Sequence, residues 1–174
     1  MQVAVSAVAA GLSGACLIPP DLEPATGDAG PSATPVILSA QPTEFDFPGP
    51  VVFERGDSRI LSLEVEDGDR GDTLYVRLYI DYNRLPTSAP TPYVEECQAA
   101  PIDSAVRLIE CDTNTICNSV DTNQHVLEAM VTDRPFILDS DPAAEGQLPY
   151  RAVAEPQRAA FSFSRWLMSC VDAI

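Results

Sequence analysis

The sequence predicts an all-β fold: an antiparallel β-sandwich of about seven strands with disulfides, preceded by an export leader and a Pro/Gly-rich tether. Three observations carry this expectation. Apolar and polar residues alternate at period two in several segments, and no segment sustains a helical stripe. Turn-forming residues separate these segments, so antiparallel connections need no helices. Four cysteines remain once Cys16 is set aside, an even number that suits a stapled exported domain.

The segments follow in order. Residues 35–40 form a first strand and residues 51–54 a short second one. In residues 59–66, Leu61, Leu63 and Val65 face one way while Ser62, Glu64 and Glu66 face the other. The strongest alternation runs over residues 73–82, where Leu74, Val76, Leu78, Ile80 and Tyr82 interleave with Tyr75, Arg77, Tyr79 and Asp81. Residues 105–111 are short, with Val106 and Leu108 read as inward. Residues 125–132 put His125, Leu127, Ala129 and Val131 on one face, and residues 159–170 close the chain with Phe161, Phe163, Trp166, Leu167 and Met168.

Before these segments, residues 2–15 carry no charge and end in the small residues Ser13, Gly14 and Ala15, immediately before Cys16. Such a stretch fits a secretory apolar region and is too short to span a bilayer. The run from Leu12 to Cys16 resembles the lipobox of bacterial lipoproteins. The resemblance implies a signal peptide over residues 1–15 and acylation of Cys16, which would become the first residue. It departs from the family in two ways: Leu12 lies four residues before the cysteine rather than three, and no Lys or Arg precedes the apolar run. The second departure points to a start codon upstream. Acyl chains would hold the protein to a membrane, since each buried methylene contributes about 0.8 kcal/mol. Leu17, in place of an inner-membrane-retaining Asp, points to the outer membrane. Residues 16–33 are rich in Pro, Gly and Ala and lack a hydrophobic period, as expected of a tether.

The order of strands across residues 34–174 resembles an immunoglobulin-like or fibronectin-type-III-like domain. The stretch from Leu63 to Leu74, with an acidic Gly-rich turn between two core strands, is similar to the corresponding region of bacterial Ig-like and cadherin-like repeats. A fold of this kind does not specify a function. If the last two strands are neighbours, Cys170 falls near residues 117–124, which favours Cys117–Cys170 with Cys97–Cys111. The pairing of Cys111 with Cys117 and of Cys97 with Cys170 stays open. No Cys-x-x-Cys pair exists, so zinc is disfavoured.

The acidic turn, with Glu66, Asp67, Asp69 and Asp72, is the one calcium candidate, because calcium takes clustered oxygens and loop glycines let the backbone wrap it. It fails the EF-hand spacing, and a solvated Asp-stabilised turn is the favoured reading. Arg70-Gly71-Asp72 spells an integrin tripeptide that is common by chance. Asp112 with Asn114, and Asp121 with Asn123, read as turn caps around Cys117.

A formal charge of −16, from 26 acidic residues against ten basic ones, argues against nucleic acid as a partner. All ten basic residues are Arg, which reads as a compositional bias. No catalytic signature is found: His125 is the only histidine and alternation turns it coreward, and no nucleophile elbow, phosphate loop or His–Glu metal motif exists. No cofactor is expected. Residues 83–104 and 133–157 are longer than a minimal sandwich needs; long loops often bind, and the alternative reading is that their apolar residues cover the sheet ends, stapled by Cys97. Phe136, Ile137, Leu138 and Tyr150 are the binding-loop candidates, for a protein or glycan partner. The expected function is that of a lipid-anchored envelope protein with a non-catalytic domain. A calcium-dependent adhesion module and an envelope hydrolase are the alternatives.

Overall fold

The computed structural model describes residues 33–46, 49–56, 59–82, 93–118 and 120–172. The expected leader, Cys16 and all but the last residue of the expected tether lie outside the described residues. The described residues form eight strands: β1 (Val36–Gln41), β2 (Val51–Glu54), β3 (Ile60–Glu66), β4 (Leu74–Ile80), β5 (Glu95–Ala99), β6 (Val106–Asp112), β7 (Gln124–Thr132) and β8 (Phe161–Val171). The only helical elements among the described residues are three single 3₁₀ turns, at Thr43–Asp46, Ile116–Asn118 and Pro142–Ala144.

The strands form two sheets, ordered β1-β3-β6 and β2-β8-β7-β4-β5. Leu61, Leu63, Val65 and Ile109 of the first sheet share one buried cluster with Val76, Leu78, Leu127, Ala129 and Met168 of the second. Period-two alternation is the cause, because every second side chain of β3, β4 and β7 points into that cluster. Two disulfides add to it. Cys97–Cys111 ties β5 to β6 and thus one sheet to the other, and Cys117–Cys170 ties the 3₁₀ turn after β6 to the end of β8.

Four features depart from the sequence expectations. An eighth strand, β5, occupies part of the segment read as a loop. Its sequence, Glu-Glu-Cys-Gln-Ala, has no apolar alternation, and it is held by backbone pairing to β4 and by its disulfide. One pair is not antiparallel: β2 lies parallel to β8, with Val51 opposite Met168 and Glu54 opposite Val171. Strand β6 shows the opposite face to the one read from Val106 and Leu108. Arg107, Ile109 and Cys111 are buried, while Leu108 is 57% exposed. The buried ion pair of Arg107 and the disulfide of Cys111 set that register against β3, where Leu61 faces Cys111 and Val65 faces Arg107.

The fourth departure is the covering of the five-stranded sheet on its second face. Tyr79, Tyr82, Met130 and Val153 form a separate buried cluster beneath the segment that follows β7. The Tyr79 hydroxyl donates to the Tyr150 carbonyl at 2.7 Å, and the Tyr82 hydroxyl to that of Pro149 at 2.6 Å. A bridge between Phe136 and Val153 and the Gln147 side chain, bonded to the Val153 backbone, hold the segment together.

Removing either disulfide releases a loop in the unfolded chain, and the longer loop matters more. The separations of 53 and 14 residues correspond to losses of about 4 and about 3 kcal/mol on the chain-entropy estimate. Urea unfolding of the Cys117→Ala/Cys170→Ala and Cys97→Ala/Cys111→Ala variants should therefore rank the first pair as the more costly.

Candidate functional site

Three groups of polar side chains could carry function, and each is built by a different set of elements. The first is the acidic turn between β3 and β4. Asp67 and Arg107 are both buried there, with Arg107 Nη2 donating to Asp67 Oδ2 at 2.7 Å. The same guanidinium donates to the carbonyls of Asp69, at 3.0 Å, and Asp72. Asp67 Oδ1 accepts from the Asp69 N–H at 3.1 Å, Asp69 Oδ2 from the Ala33 N–H at 2.7 Å, and Asp72 Oδ2 from Arg134 Nη1 at 3.3 Å. Burial raises the proton affinity of Asp67, and this outweighs the opposing pull of the Asp69 N–H and of Arg107. Glu66 is exposed on β3. The turn thus wraps a guanidinium where a calcium loop would wrap an ion. Among the described residues, no three or more His, Cys, Asp or Glu side chains are grouped to hold a metal. The two charges of the Arg70-Gly71-Asp72 tripeptide are paired within the chain, Arg70 to Asp103 and Asp72 to Arg134.

The second group surrounds His125, which is 8% exposed. Its Nδ1 lies 2.6 Å from Asp81 Oδ2 and its Nε2 lies 3.0 Å from Asp121 Oδ1. Asp81 sits just past β4 in the left-handed region, with a φ of 53°, and its Oδ1 also accepts from the Val126 N–H. Burial lowers the proton affinity of His125, but its hydrogen bonds to the two carboxylates outweigh this, so the net direction is upward. Asp121 is lowered, first by the Asn123 backbone and side-chain amides and to a lesser degree by His125. With both ring nitrogens held by carboxylates, the imidazole has no nitrogen left to activate a nucleophile. It acts as a clamp between the end of β4 and the start of β7.

The third group lies where the segment after β7 meets β4 and β5. Arg77, outward on β4 and directly opposite Glu96, is only 3% exposed. Its Nε donates to Glu96 Oε2 at 2.7 Å and its Nη1 to the Tyr150 carbonyl at 2.9 Å. Its guanidinium carbon lies 4.1 Å from the centroid of the Tyr93 ring and 4.3 Å from that of Phe136. Both distances are within cation–π reach. Above it opens a cavity of about 370 Å³ lined by Arg77, Tyr93, Ile137, Leu138, Asp139 and Tyr150. Asp139 Oδ1 accepts from the Tyr150 N–H at 2.7 Å, which closes the loop between them.

No family model, curated protein or solved structure gives a significant match to this chain. What the third group can do therefore follows from its own residues. Of the four binding-loop candidates, Ile137, Leu138 and Tyr150 line the cavity, and Phe136 packs against Arg77. Sequence reasoning missed Arg77 and Asp139. The available signal was a charged residue amid the alternation of the strongest strand. The walls offer two aromatic rings, two aliphatic side chains and one carboxylate, and no Ser, Cys or His lines the cavity among the described residues. That inventory suits holding a ligand by contact.

Two outcomes are expected. Arg107→Met should cost about 3–5 kcal/mol in urea unfolding, because it leaves the Asp67 carboxylate buried and unpaired, and Asp67→Asn in the same chain should restore part of the loss. The raised affinity of His125 stabilises the fold fully below its ordinary value of about 6.5, and that contribution fades as pH rises through the folded-state value. The melting temperature should accordingly fall from about pH 6 to about pH 8, with a flatter profile in His125→Gln.

Proposed function

We propose that this chain is a lipid-anchored bacterial envelope protein whose body, an Ig-like β-sandwich, acts without catalysis as a binding or structural module. The observation that carries the binding role is the convergence of Ile137, Leu138 and Tyr150 with Tyr93 above the buried Arg77. These residues come from two separate long segments of the sequence, yet together they make one concave surface with aromatic and aliphatic walls. Two disulfides favour an oxidising compartment outside the cytoplasm. A core shared by a three-stranded and a five-stranded sheet favours the sandwich reading. The lipobox-like run ending at Cys16 supports the anchor, and Leu17 the outer membrane. A protein or a glycan is the partner class.

Intact mass of the native protein from the membrane fraction tests the anchor. The expected species begins at Cys16, carries added acyl mass and has two oxidised cysteine pairs, whereas a water-soluble species beginning at Met1 would overturn it. In an array of glycans and peptides, Leu138→Asp should remove the retention of any bound probe while leaving the melting temperature unchanged.

A further inference from the structure

A second cavity, of about 360 Å³, lies where the segment after β7 meets β8, and none of its lining residues is shared with the first. Strand alternation places Phe161 and Phe163 on the same face of β8, with their rings edge to face and their centroids 5.6 Å apart. They are 47% and 38% exposed, and Leu148, which lines the same cavity, is 60% exposed. Met130 and Val153 are buried beneath them. So many apolar groups left partly open to water in one concave place is a marker of binding.

Two polar side chains line this cavity, Gln147, which is engaged with the Val153 backbone, and the charged Arg151, 7% exposed. Its guanidinium carbon lies 3.4 Å from the centroid of the Tyr82 ring and 4.9 Å from that of Phe163. Its Nη2 donates to Glu128 Oε1, but its buried Nε has no hydrogen-bond partner among the described residues. A buried guanidinium N–H without an acceptor is uncommon and calls for an explanation. Glu128 does not supply it: its two oxygens accept from Arg151 Nη2 and, across the β7–β8 pair, from Arg165 Nε. Arg165 lies two residues from Phe163 on the same face, with its side chain 60% exposed. One carboxylate against two guanidiniums leaves a local excess of one positive charge in a chain of formal charge −16. No carboxylate lines this cavity among the described residues.

We propose that this cavity binds a small amphiphile bearing one carboxylate, with its apolar body against Leu148, Phe161 and Phe163 and its head accepting from Arg151 and Arg165. The apolar walls supply affinity and the surplus positive charge selects the head group, as charge-assisted bonds to guanidinium do. This site stands apart from the one above Arg77, so its failure would leave the envelope-module reading untouched.

Calorimetric titration of the folded protein with decanoate, decanol and decyltrimethylammonium, each below its micellar concentration, tests the proposal. Decanoate should bind saturably and at least about tenfold more tightly than the other two. Leu148→Glu, at an exposed position, should weaken decanoate at least about tenfold with no change in melting temperature. Arg165→Gln, a second exposed variant, should weaken decanoate and leave decanol as it was. Decanol binding as tightly as decanoate, no saturation up to about 1 mM, or decanoate binding indifferent to both variants would each overturn the proposal.

Discussion

Strands β4 and β7 are covered on both faces, and most of what is distinctive here follows from that burial. On one side they share a core with the three-stranded sheet, and on the other they lie beneath the segment that follows β7. A strand covered on one face can leave its alternate polar residues in water. In these strands Arg77 and Glu128 occupy those alternate positions and are buried, so each charge must find a partner inside the protein. Arg77 takes Glu96, the Tyr150 carbonyl and two aromatic rings, and Glu128 takes two guanidiniums. The two cavities lie along the seam where the covering segment meets the sheet, because a covering made of loop rather than strand cannot match that surface throughout.

The guanidiniums do much of the joining elsewhere too. Arg55, just past β2, donates to the carbonyls of Cys117 and Val120 and to Asp172, linking an edge strand to the loop that holds the second disulfide. Arg107 gathers the acidic turn in the same manner. A planar fork with five donors can satisfy several carbonyls at once, which a lysine ammonium does less well. The absence of lysine, which reads as compositional bias in the sequence, therefore coincides with a structural use for at least these arginines.

In the acidic turn one distant residue sets what a local pattern of carboxylates does. Clustered carboxylates and glycines between two strands are compatible with a bound cation or with a solvated turn. At Asp67 the carboxylate is buried against Arg107, 40 residues further along the chain. His125 is similar. Its alternation placed it on the core side of β7, but its two carboxylate partners, Asp81 and Asp121, belong to a strand end and a turn that nothing in its own segment specifies.

Local pattern alone determined where seven of the strands run and which residues of β3, β4 and β7 face the shared core, because alternation is a property of neighbouring residues. It also singled out Phe136, Ile137, Leu138 and Tyr150, and with the added premise that the last two strands are neighbours it favoured Cys117–Cys170 with Cys97–Cys111, the pairing observed. Contacts between remote residues decided the rest. Strand β5 has no apolar period of its own and exists through pairing with β4. The parallel seat of β2 beside β8 and the inward turn of Arg107 on β6 each depend on partners far along the chain. So does the burial of Arg77 and Glu128: whether a sheet's second face meets water or protein depends on what folds over it, and the strand's own alternation is the same in either case.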